Sequence, residues 1–347
     1  MSTEIGIVEQ AVDGFDPGVA RRIEMTCRCR DCDDIPKGPG AGEVFTDAAG
    51  RWQRMHNGVK IAENCYCGAW MTEVIRRLRG HHEPQEERAF HEVVRHASPG
   101  SMMVELGAYW SYYSLWFRAA VSGARSLLVE PDPNHLGVGR QNFAANGVEG
   151  EFVQAAIGRE PRPPEAFACE SDGILRPVAT VSVDALLRDR GIDRVELLLA
   201  DIQGAEVEML SGAEQSFAEG KIRFLFVSTH HHVISGDPLT HQKCLAFLRE
   251  RGGHVLAEHP ISESFSGDGL IVVSFAAEDR SLPTICLSRN EPGRSLFRET
   301  EYDLAEALDR LRDVEARLAA AERAAPQPVS PPVGRTGHWL SRQRRGE

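Results

Sequence analysis

The stretch MMVELGAYWSYYSLWF, residues 102–117, decides the fold class of this chain. It reads as a short apolar strand, a turn at Gly107 and a helix. Strand-like and helix-like segments continue to alternate from residue 101 to about residue 275. This alternation predicts βαβ units, and therefore an α/β fold with a doubly wound, mostly parallel seven-stranded sheet.

The predicted strands are short apolar runs that stand between helical stretches. They fall at residues 102–106, 126–130, 151–156, 195–200, 223–229, 254–258 and 270–275. Helices are predicted at residues 69–78, 85–96, 113–122, 134–146, 183–190, 203–219 and 239–251. No helical pattern separates the last two strands, so we expect these two strands to be antiparallel.

Different patterns flank this region. Residues 1–84 form a Cys-containing N-terminal segment with a helix, and the α/β domain itself is assigned to residues 85–278. Apolar residues at 3-4 spacing predict an amphipathic or coiled-coil helix at residues 299–324. Such a helix either docks on the body of the protein or joins two copies in a homo-oligomer. Residues 325–347, rich in proline at their start, read as a disordered tail.

The composition constrains partners and location. The 51 acidic residues exceed the 39 lysines and arginines, and the formal net charge is −12. Nonspecific nucleic-acid binding needs clustered cations, so no nucleic-acid partner is expected. No apolar stretch approaches the roughly 20 residues that cross a bilayer, so no membrane span is expected. The first ten residues do not resemble a signal peptide, which predicts a cytoplasmic protein with reduced cysteines.

The turn after the first strand discriminates between nucleotide ligands. A dinucleotide site needs G-x-G-x-x-G so that the backbone can approach a pyrophosphate. Here only Gly107 is present, and Ala108, Tyr109, Trp110 and Ser111 follow it. These residues argue against an NAD-dependent oxidoreductase, which is one alternative. They tolerate a smaller ligand such as S-adenosylmethionine.

Two acids are placed to line the same crevice. Glu130 ends the second predicted strand about 20 residues after Gly107, where a carboxylate accepts hydrogen bonds from both ribose hydroxyls. Asp201 comes just after the strand at 195–200 and is expected to project toward Gly107 and Glu130. The alternatives are a solvated glutamate at a strand end and an aspartate that caps the next helix.

The motifs resemble those of the FkbM family of S-adenosylmethionine-dependent methyltransferases over roughly residues 85–275. The resemblance rests on three stretches of the chain. They contain Glu105, Gly107, Ala108, Tyr112, Tyr113 and Ser114; Glu130, Pro131 and Pro133; and Asp201, Gly204, Ala205 and Glu206. Two positions depart from the family pattern: Ser111 replaces a glycine, and Gln203 replaces a glutamate.

The resemblance implies a Rossmann-like class I methyltransferase that O-methylates a hydroxyl of a sugar, glycan or secondary metabolite. The expected residues around S-adenosylmethionine are Glu105, Gly107, Ala108, Tyr109, Ser111, Glu130, Asp132 and Ala156. Gly107 and its neighbours would hold the methionine end of the cofactor, and Glu130 its ribose. A catalytically degenerate scaffold or binding protein with this fold is the alternative, because Ser111 and Gln203 depart from the pattern.

The expected catalytic residues are Asp201, His230 and His232. If the strand at 223–229 stays extended, His230 and His232 share one face, and one of them serves as the base that takes the hydroxyl proton. Three loop histidines without a catalytic role are the alternative. A divalent metal on Asp201 and these histidines is a weaker hypothesis, because further ligands are lacking.

The segment before the first strand offers residues for the acceptor. His82, Glu83 and Glu86 are expected to fold over the crevice and bind substrate hydroxyls. The alternative is a helix N-terminus at which acids are favoured by the helix dipole.

Cysteines cluster in the N-terminal segment. Cys29, Cys32, Cys65 and Cys67 have the spacing of an incomplete zinc site, because the second pair is C-x-C. We favour free buried thiols and no metal, with zinc on these four cysteines as the alternative.

Overall fold

The computed structural model describes residues 14–297 and 300–324 of the chain. The described residues up to Leu304 belong to one compact unit, and those from Ala305 belong to a second unit. The first 13 residues and the predicted disordered tail, residues 325–347, lie outside the described residues.

The N-terminal segment is more regular than its sequence suggests. Neither its first helix nor its antiparallel meander was predicted, since the strands are only three to five residues long and mix apolar with charged side chains. The two predicted helices of this region are present. The elements are α1 (Pro17–Cys27), β1 (Val44–Asp47), β2 (Gly50–Arg54), β3 (Lys60–Ala62), α2 (Ala69–Arg77) and α3 (Pro84–Val94).

Ten further strands form two sheets. They are β4 (Met102–Leu106), β5 (Arg125–Val129), β6 (Glu151–Val153), β7 (Ala156–Ile157), β8 (Arg162–Ala168), β9 (Leu175–Val181), β10 (Val195–Ala200), β11 (Ile222–Thr229), β12 (His254–His259) and β13 (Gly269–Ser274). The central sheet has the order β12-β13-β11-β10-β4-β5-β6, and β7-β9-β8 form a small separate sheet. From β6 to β11 all neighbours are parallel, whereas β13 is antiparallel to both β11 and β12. The predicted fold class is therefore confirmed.

Helices connect these strands. They are α4 (Tyr112–Ala120), α5 (Pro133–Ala145), α6 (Val183–Asp189), α7 (Glu206–Ser211), α8 (Glu214–Ala218), α9 (His232–Ser235) and α10 (Thr240–Glu250). The single helix predicted at residues 203–219 is wrong, because the chain breaks at Gly212 and starts again as α8. Asp184 caps the new start, where its carboxylate accepts the N–H groups of Gln215 and Ser216 at 3.0 and 2.8 Å.

The strand predicted at residues 151–156 also divides. Its first part is β6 at the edge of the central sheet, and its end becomes β7 of the small sheet. The small sheet was not predicted, since the first four residues of β8 are all prolines or charged residues and the strand is almost wholly exposed.

Two apolar layers cover the two faces of the central sheet. Neighbouring side chains along a strand point to opposite faces, so Met103 and Leu197 enter one layer and Val104 and Leu198 the other. The first layer includes residues from α1 to α4, and the second includes residues from α6, α7 and α10. The N-terminal segment therefore supplies part of the helical layer that buries one face of the sheet.

The strand order reverses beside β4. The chain runs from β4 outward to β5 and β6, and then returns to β10 on the other side of β4. In open parallel sheets, ligands bind at the carboxyl ends of the strands at such a point. This places the residues after β4, β5 and β10 around one crevice.

The last described element is α11 (Thr300–Ala324), a single helix of 25 residues. It agrees with the helix predicted at residues 299–324, and its role as a coiled coil stays a prediction. Within the described part of the chain, no helix combines the length and the apolar character that crossing a bilayer requires.

Candidate active site

A cavity of about 580 Å³ opens at the carboxyl ends of β4, β5 and β10. The N-terminal segment supplies one wall through Tyr66 and Cys67, and the β8–β9 hairpin supplies another through Phe167 and Glu170. Most predicted site residues line it: His82, Glu83, Glu105, Gly107, Ala108, Tyr109, Glu130, Asp132, Ala156 and Asp201. The remaining ones lie outside the lining: Glu86, Ser111, His230 and His232.

Gly107 is required by the close approach of two strand ends. Its φ is 76°, a left-handed backbone conformation that favours glycine. A Cβ atom added at this position would lie 1.7 Å from the backbone oxygen of Asp201. Any side chain here would therefore push apart the turns after β4 and β10.

Glu130 is held in place by two backbone hydrogen bonds, and its carboxylate retains lone pairs that can accept further hydrogen bonds. One carboxylate oxygen accepts the N–H of Tyr109 at 3.1 Å, and the other accepts the N–H of Asp132 at 2.9 Å. A carboxylate has about four lone-pair sites, so each oxygen can accept a further hydrogen bond from a ligand in the cavity. Burial raises the pKa of Glu130 to about 7.

Glu105 and Asp132 organise the walls on either side. The carboxylate of Glu105 accepts the N–H of Ser114 at 3.0 Å at the start of α4, and burial raises its pKa to about 8. Asp132 caps α5 through the N–H of Asn134 at 2.8 Å. It also accepts the N–H of Ser171 at 2.9 Å, which ties the β8–β9 hairpin to the rim of the cavity.

Ser111 does not face the cavity, contrary to the expectation that it contacts the cofactor. It precedes α4 with φ 64°, and its Oγ is directed at α5, where a Cβ added to Gly139 would lie 2.3 Å from it. Gln203, the second departure from the family pattern, also has a positive φ of 52° and lines the cavity. Both non-glycine residues thus occupy backbone conformations that cost some free energy.

His230 lies at the end of β11 among three carboxylates. Its Nδ1 is 2.7 Å from Oε1 of Glu206, and its Nε2 is 3.1 Å from Oδ1 of Asp201 and 3.8 Å from Oδ1 of Asp268. Burial by itself lowers the pKa of His230, but these carboxylates outweigh it and hold the pKa well above its ordinary value. A protonated imidazole cannot accept a proton, so this arrangement argues against His230 as the base.

His232 is separated from His230 by a change of backbone direction. The strand ends at Thr229, and the helix α9 begins at His232, so the extended trace assumed in the sequence analysis does not continue. The two histidines therefore do not share a strand face. Instead, the rings of His231 and His232 are 4.0 Å apart.

Asp268 and the structural role of Glu206 were not predicted from the sequence. Asp268 precedes β13, but β13 is antiparallel to β11 and pairs Gly269 with Thr229, so its beginning lies at the carboxyl edge of the sheet. Burial raises the pKa of Asp268. Glu206 is fully buried and also accepts the N–H of Gly204 at 2.9 Å. The available signal was an acid between two glycines at a predicted strand start.

The expected acceptor residues divide between the cavity and the wall behind it. His82 and Glu83 line the cavity, whereas the carboxylate of Glu86 is bound to the Ser228 hydroxyl at 2.7 Å. Burial raises the pKa of Glu86 to about 8 and also raises that of Glu83. Among the described residues, those that line the cavity include no lysine or arginine.

The two metal hypotheses of the sequence analysis lack a complete ligand set in the described residues. Cys29, Cys32, Cys65 and Cys67 do not converge on one point, and Cys67 lines the cavity instead. Asp201 and His230 are close, but they belong to no group of three ligands in the part of the chain that the structure describes.

The sheet order and the crevice at the carboxyl ends of its strands define a Rossmann-like α/β fold. Residues 92–255 match the family model of the methyltransferase FkbM domain. This match agrees with the family resemblance that the motifs of the sequence predicted.

Similar solved structures are distant. The METTL16 MTase domain is 16% identical with a TM-score of 0.38, and the match covers 56% of this chain and 68% of that one. A putative rRNA-methylase from Clostridium thermocellum is 9% identical (TM-score 0.37; 55% and 94% covered). TrmK of M. capricolum, in complex with S-adenosyl-homocysteine, is 8% identical (TM-score 0.35; 56% and 74% covered). No curated protein matches the sequence significantly.

Proposed function

We propose that this protein transfers the methyl group of S-adenosylmethionine to a hydroxyl group of a sugar or a similarly neutral, hydroxyl-rich metabolite. The observation that carries the proposal is the lining of the cavity. Acidic and aromatic side chains surround it, and the described lining residues include no lysine or arginine. Such a surface suits a cationic cofactor and an uncharged acceptor.

The residues present fit this cofactor. The spare lone pairs of Glu130 are suited to the two ribose hydroxyls, and the small side chains of Ala108 and Ala156 leave room along the cavity. The carboxyl group of Asp201 suits a ligand that carries positive charge. When bound, S-adenosylmethionine supplies a methyl group on a cationic sulfur. Because this sulfur is already positively charged, S-adenosyl-homocysteine is a good leaving group without protonation.

The acceptor side of the cavity combines aromatic faces with an unpaired hydroxyl group. Tyr66, Trp110 and Tyr113 lie in the lining, where aromatic rings provide apolar faces for a sugar ring. The hydroxyl of Tyr113 is buried without a hydrogen-bond partner among the described residues. Because an unpaired buried polar atom is costly, this hydroxyl is suited to bind a hydroxyl group of a substrate.

Methyl transfer to a hydroxyl group needs a base that removes the hydroxyl proton. In this cavity a carboxylate is best placed to serve as that base. Asp201 lines the cavity, whereas Asp268 lies outside the lining, and both carboxylates approach the same Nε2 atom of His230. In this proposal Asp201 accepts the proton, while the protonated His230 holds the two carboxylates in position. The main task of the protein is to align the acceptor oxygen with the methyl group.

Calorimetric titration with S-adenosyl-homocysteine tests the cofactor assignment. The intact protein should bind it, and Glu130→Ala should weaken the affinity by about 10- to 100-fold, because charge-assisted hydrogen bonds to the ribose are lost. The exposed Glu165 offers the control Glu165→Ala, which should bind like the wild type. Absence of binding by the intact protein would reject the assignment.

Mass spectrometry of reaction mixtures tests the acceptor. The protein with S-adenosylmethionine should add the mass of one CH2 group to neutral glycosides in a panel, at an oxygen atom. The matching sugar phosphates should react much more slowly, because the acidic lining repels them. Preferential methylation of an anionic or a nitrogen acceptor would contradict the proposal.

Two further assignments accompany this function as proposals. The protein is expected to act in the cytoplasm, and α11 is expected to join two copies through its apolar 3-4 repeat. Sedimentation of the full chain and of a chain ending at residue 298 tests the second point. A monomer in both cases would refute it.

A further inference from the structure

A second cluster of reactive side chains lies outside the cavity, where three segments of the chain meet. Sγ of Cys32, a ring nitrogen of His81 and a carboxylate oxygen of Glu87 lie within 4.8 Å of one another. The three residues are 5%, 1% and 0% exposed. We propose that this cluster is a structural zinc site that fastens the N-terminal segment to the start of α3.

The donor set matches the preference of zinc. Thiolate sulfur, imidazole nitrogen and carboxylate oxygen are its usual protein ligands, and the hard cations Mg²⁺ and Ca²⁺ do not take thiolates. Nε2 of His81 is also buried without a hydrogen-bond partner in the described residues. His81 therefore has donor capacity that the protein itself does not use.

The charges in the cluster require compensation. Glu87 is wholly buried, and within the described chain its ion-pair partners are the imidazoles of His81, His82 and His56. A buried carboxylate needs a compensating positive charge, which protonated imidazoles or a bound metal ion can supply. One divalent cation would balance both this carboxylate and the thiolate of Cys32.

Surrounding groups hold the candidate ligands in position, as they do in metal sites. The other carboxylate oxygen of Glu87 accepts the N–H groups of His82 and Glu83 at 2.7 and 3.3 Å. The ring of His56 stacks on His81 with 4.2 Å between centroids, and its Nδ1 binds the Tyr112 hydroxyl at 2.9 Å. A water molecule would complete the four ligands of a zinc ion.

This set differs from the four cysteines considered from sequence. Only Cys32 is common to both, because the loop after α1 brings it to the turn before α3 and not to Cys65. The next residues along the chain, His82 and Glu83, line the main cavity. The zinc would therefore also fix one wall of the proposed cofactor site.

The metal content of the full-length protein tests the proposal. Protein exposed to zinc and then dialysed against metal-free buffer should retain about one zinc per chain, measured by mass spectrometry of the metal. Cys32→Ser should lose it, while the control Cys65→Ser, a half-buried cysteine elsewhere, should retain it. A chelator should lower the Tm of the wild type and of Cys65→Ser but not that of Cys32→Ser. Wild-type protein without zinc, or equal zinc in Cys32→Ser, would overturn the assignment.

A measurement on the wild type covers the case in which Cys32→Ser fails to fold. Cobalt added to the metal-free chain should produce the charge-transfer absorption of a thiolate–cobalt bond, and Cys65→Ser should show the same band. A cobalt complex without this band would exclude Cys32 as a ligand and overturn the proposal. Neither readout depends on methyltransferase activity, so failure here is distinguishable from failure of the proposed function.

Discussion

The proposed binding of ribose by Glu130 depends on whether its carboxyl group is ionised. Its pKa is raised to about 7 by burial, and the ionised form is the better acceptor for ribose hydroxyls. Binding should therefore favour the carboxylate, and the affinity for S-adenosyl-homocysteine should rise by up to about tenfold between pH 6 and pH 8. Calorimetry across this range measures the effect.

The variant Glu130→Gln separates this ionisation from other titrations in the cavity. The amide cannot ionise, so its weaker affinity should be independent of pH over the same range. A wild-type affinity that is flat or falls with rising pH would show that Glu130 does not bind the ribose as a carboxylate.

His230 should remain an imidazolium at pH 8, because three carboxylates surround it and raise its pKa. In contrast, burial lowers the pKa of His56 and of His259 to about 3, so both should be neutral at pH 5. Nitrogen-15 NMR of the histidine side chains distinguishes these states, and His230→Gln assigns the signal. A His230 signal that titrates near 6.5 would restore this residue as the candidate base.

The site residues that were predictable from the sequence are those whose positions follow directly from the parallel βαβ pattern. Glu130 and Asp201 directly follow β5 and β10, and the carboxyl ends of parallel strands share one edge. Asp268 was not predicted, because it precedes a strand that is antiparallel to its neighbour β11, so the start of this strand lies at the carboxyl edge of the parallel strands. The raised pKa of His230 was also not predictable from the sequence, since its carboxylate partners come from two segments that are distant from it along the chain, residues 201–206 and Asp268.

At the scale of elements, helix α5 contains two glycines with opposite surroundings. A Cβ at Gly137 meets nothing within 4 Å, whereas one at Gly139 meets Oγ of Ser111 at 2.3 Å and the backbone oxygen of Tyr109 at 2.9 Å. Gly137→Ala should therefore stabilise the protein by about 0.5–1 kcal/mol through helix propensity. Gly139→Ala should destabilise it, because the turn that precedes α4 must move.

The paired variants serve as controls for each other, since both make the same substitution in one helix. Thermal unfolding followed by circular dichroism should give a higher Tm for Gly137→Ala and a lower Tm for Gly139→Ala than for the wild type. Equal shifts in the two variants would contradict the packing of α5 against the Ser111 turn.

Elements with strong periodicity were predictable, and elements that depend on tertiary contacts were not. β10 begins and ends as predicted, because a fully buried strand is an uninterrupted apolar run. The β8–β9 hairpin is polar and exposed, so its pattern resembles a loop, yet it forms a wall of the cavity. The break before α8 depends on Asp184, which is distant in sequence and carries no local signal.

The fold class was predictable from the sequence, but the cavity wall formed by the segment before β4 was not. The sheet supplies Gly107, Glu130 and Asp201, whereas Tyr66 and Glu83 come from the segment before β4. That segment has no sustained periodicity, and it is ordered by packing on the sheet and by contacts such as those of Asn142 and Asn146 with β3. The acceptor side is thus built by the part of the chain that sequence patterns describe least.

Buried carboxyl groups should make the stability of the whole protein decrease with pH above neutrality. The pKa values of Glu86 and Glu105 are raised to about 8, so between their ordinary value of 4.5 and about 8 the folded state holds protons that the unfolded state releases. The free energy of unfolding should fall from pH 7 to pH 8.5, by at most about 1.4 kcal/mol per pH unit for each group. Urea unfolding at several pH values measures this slope. Glu105→Gln should make the slope shallower and Glu165→Gln should leave it unchanged; a stability that rises with pH in this range would contradict the burial of protonated carboxyl groups.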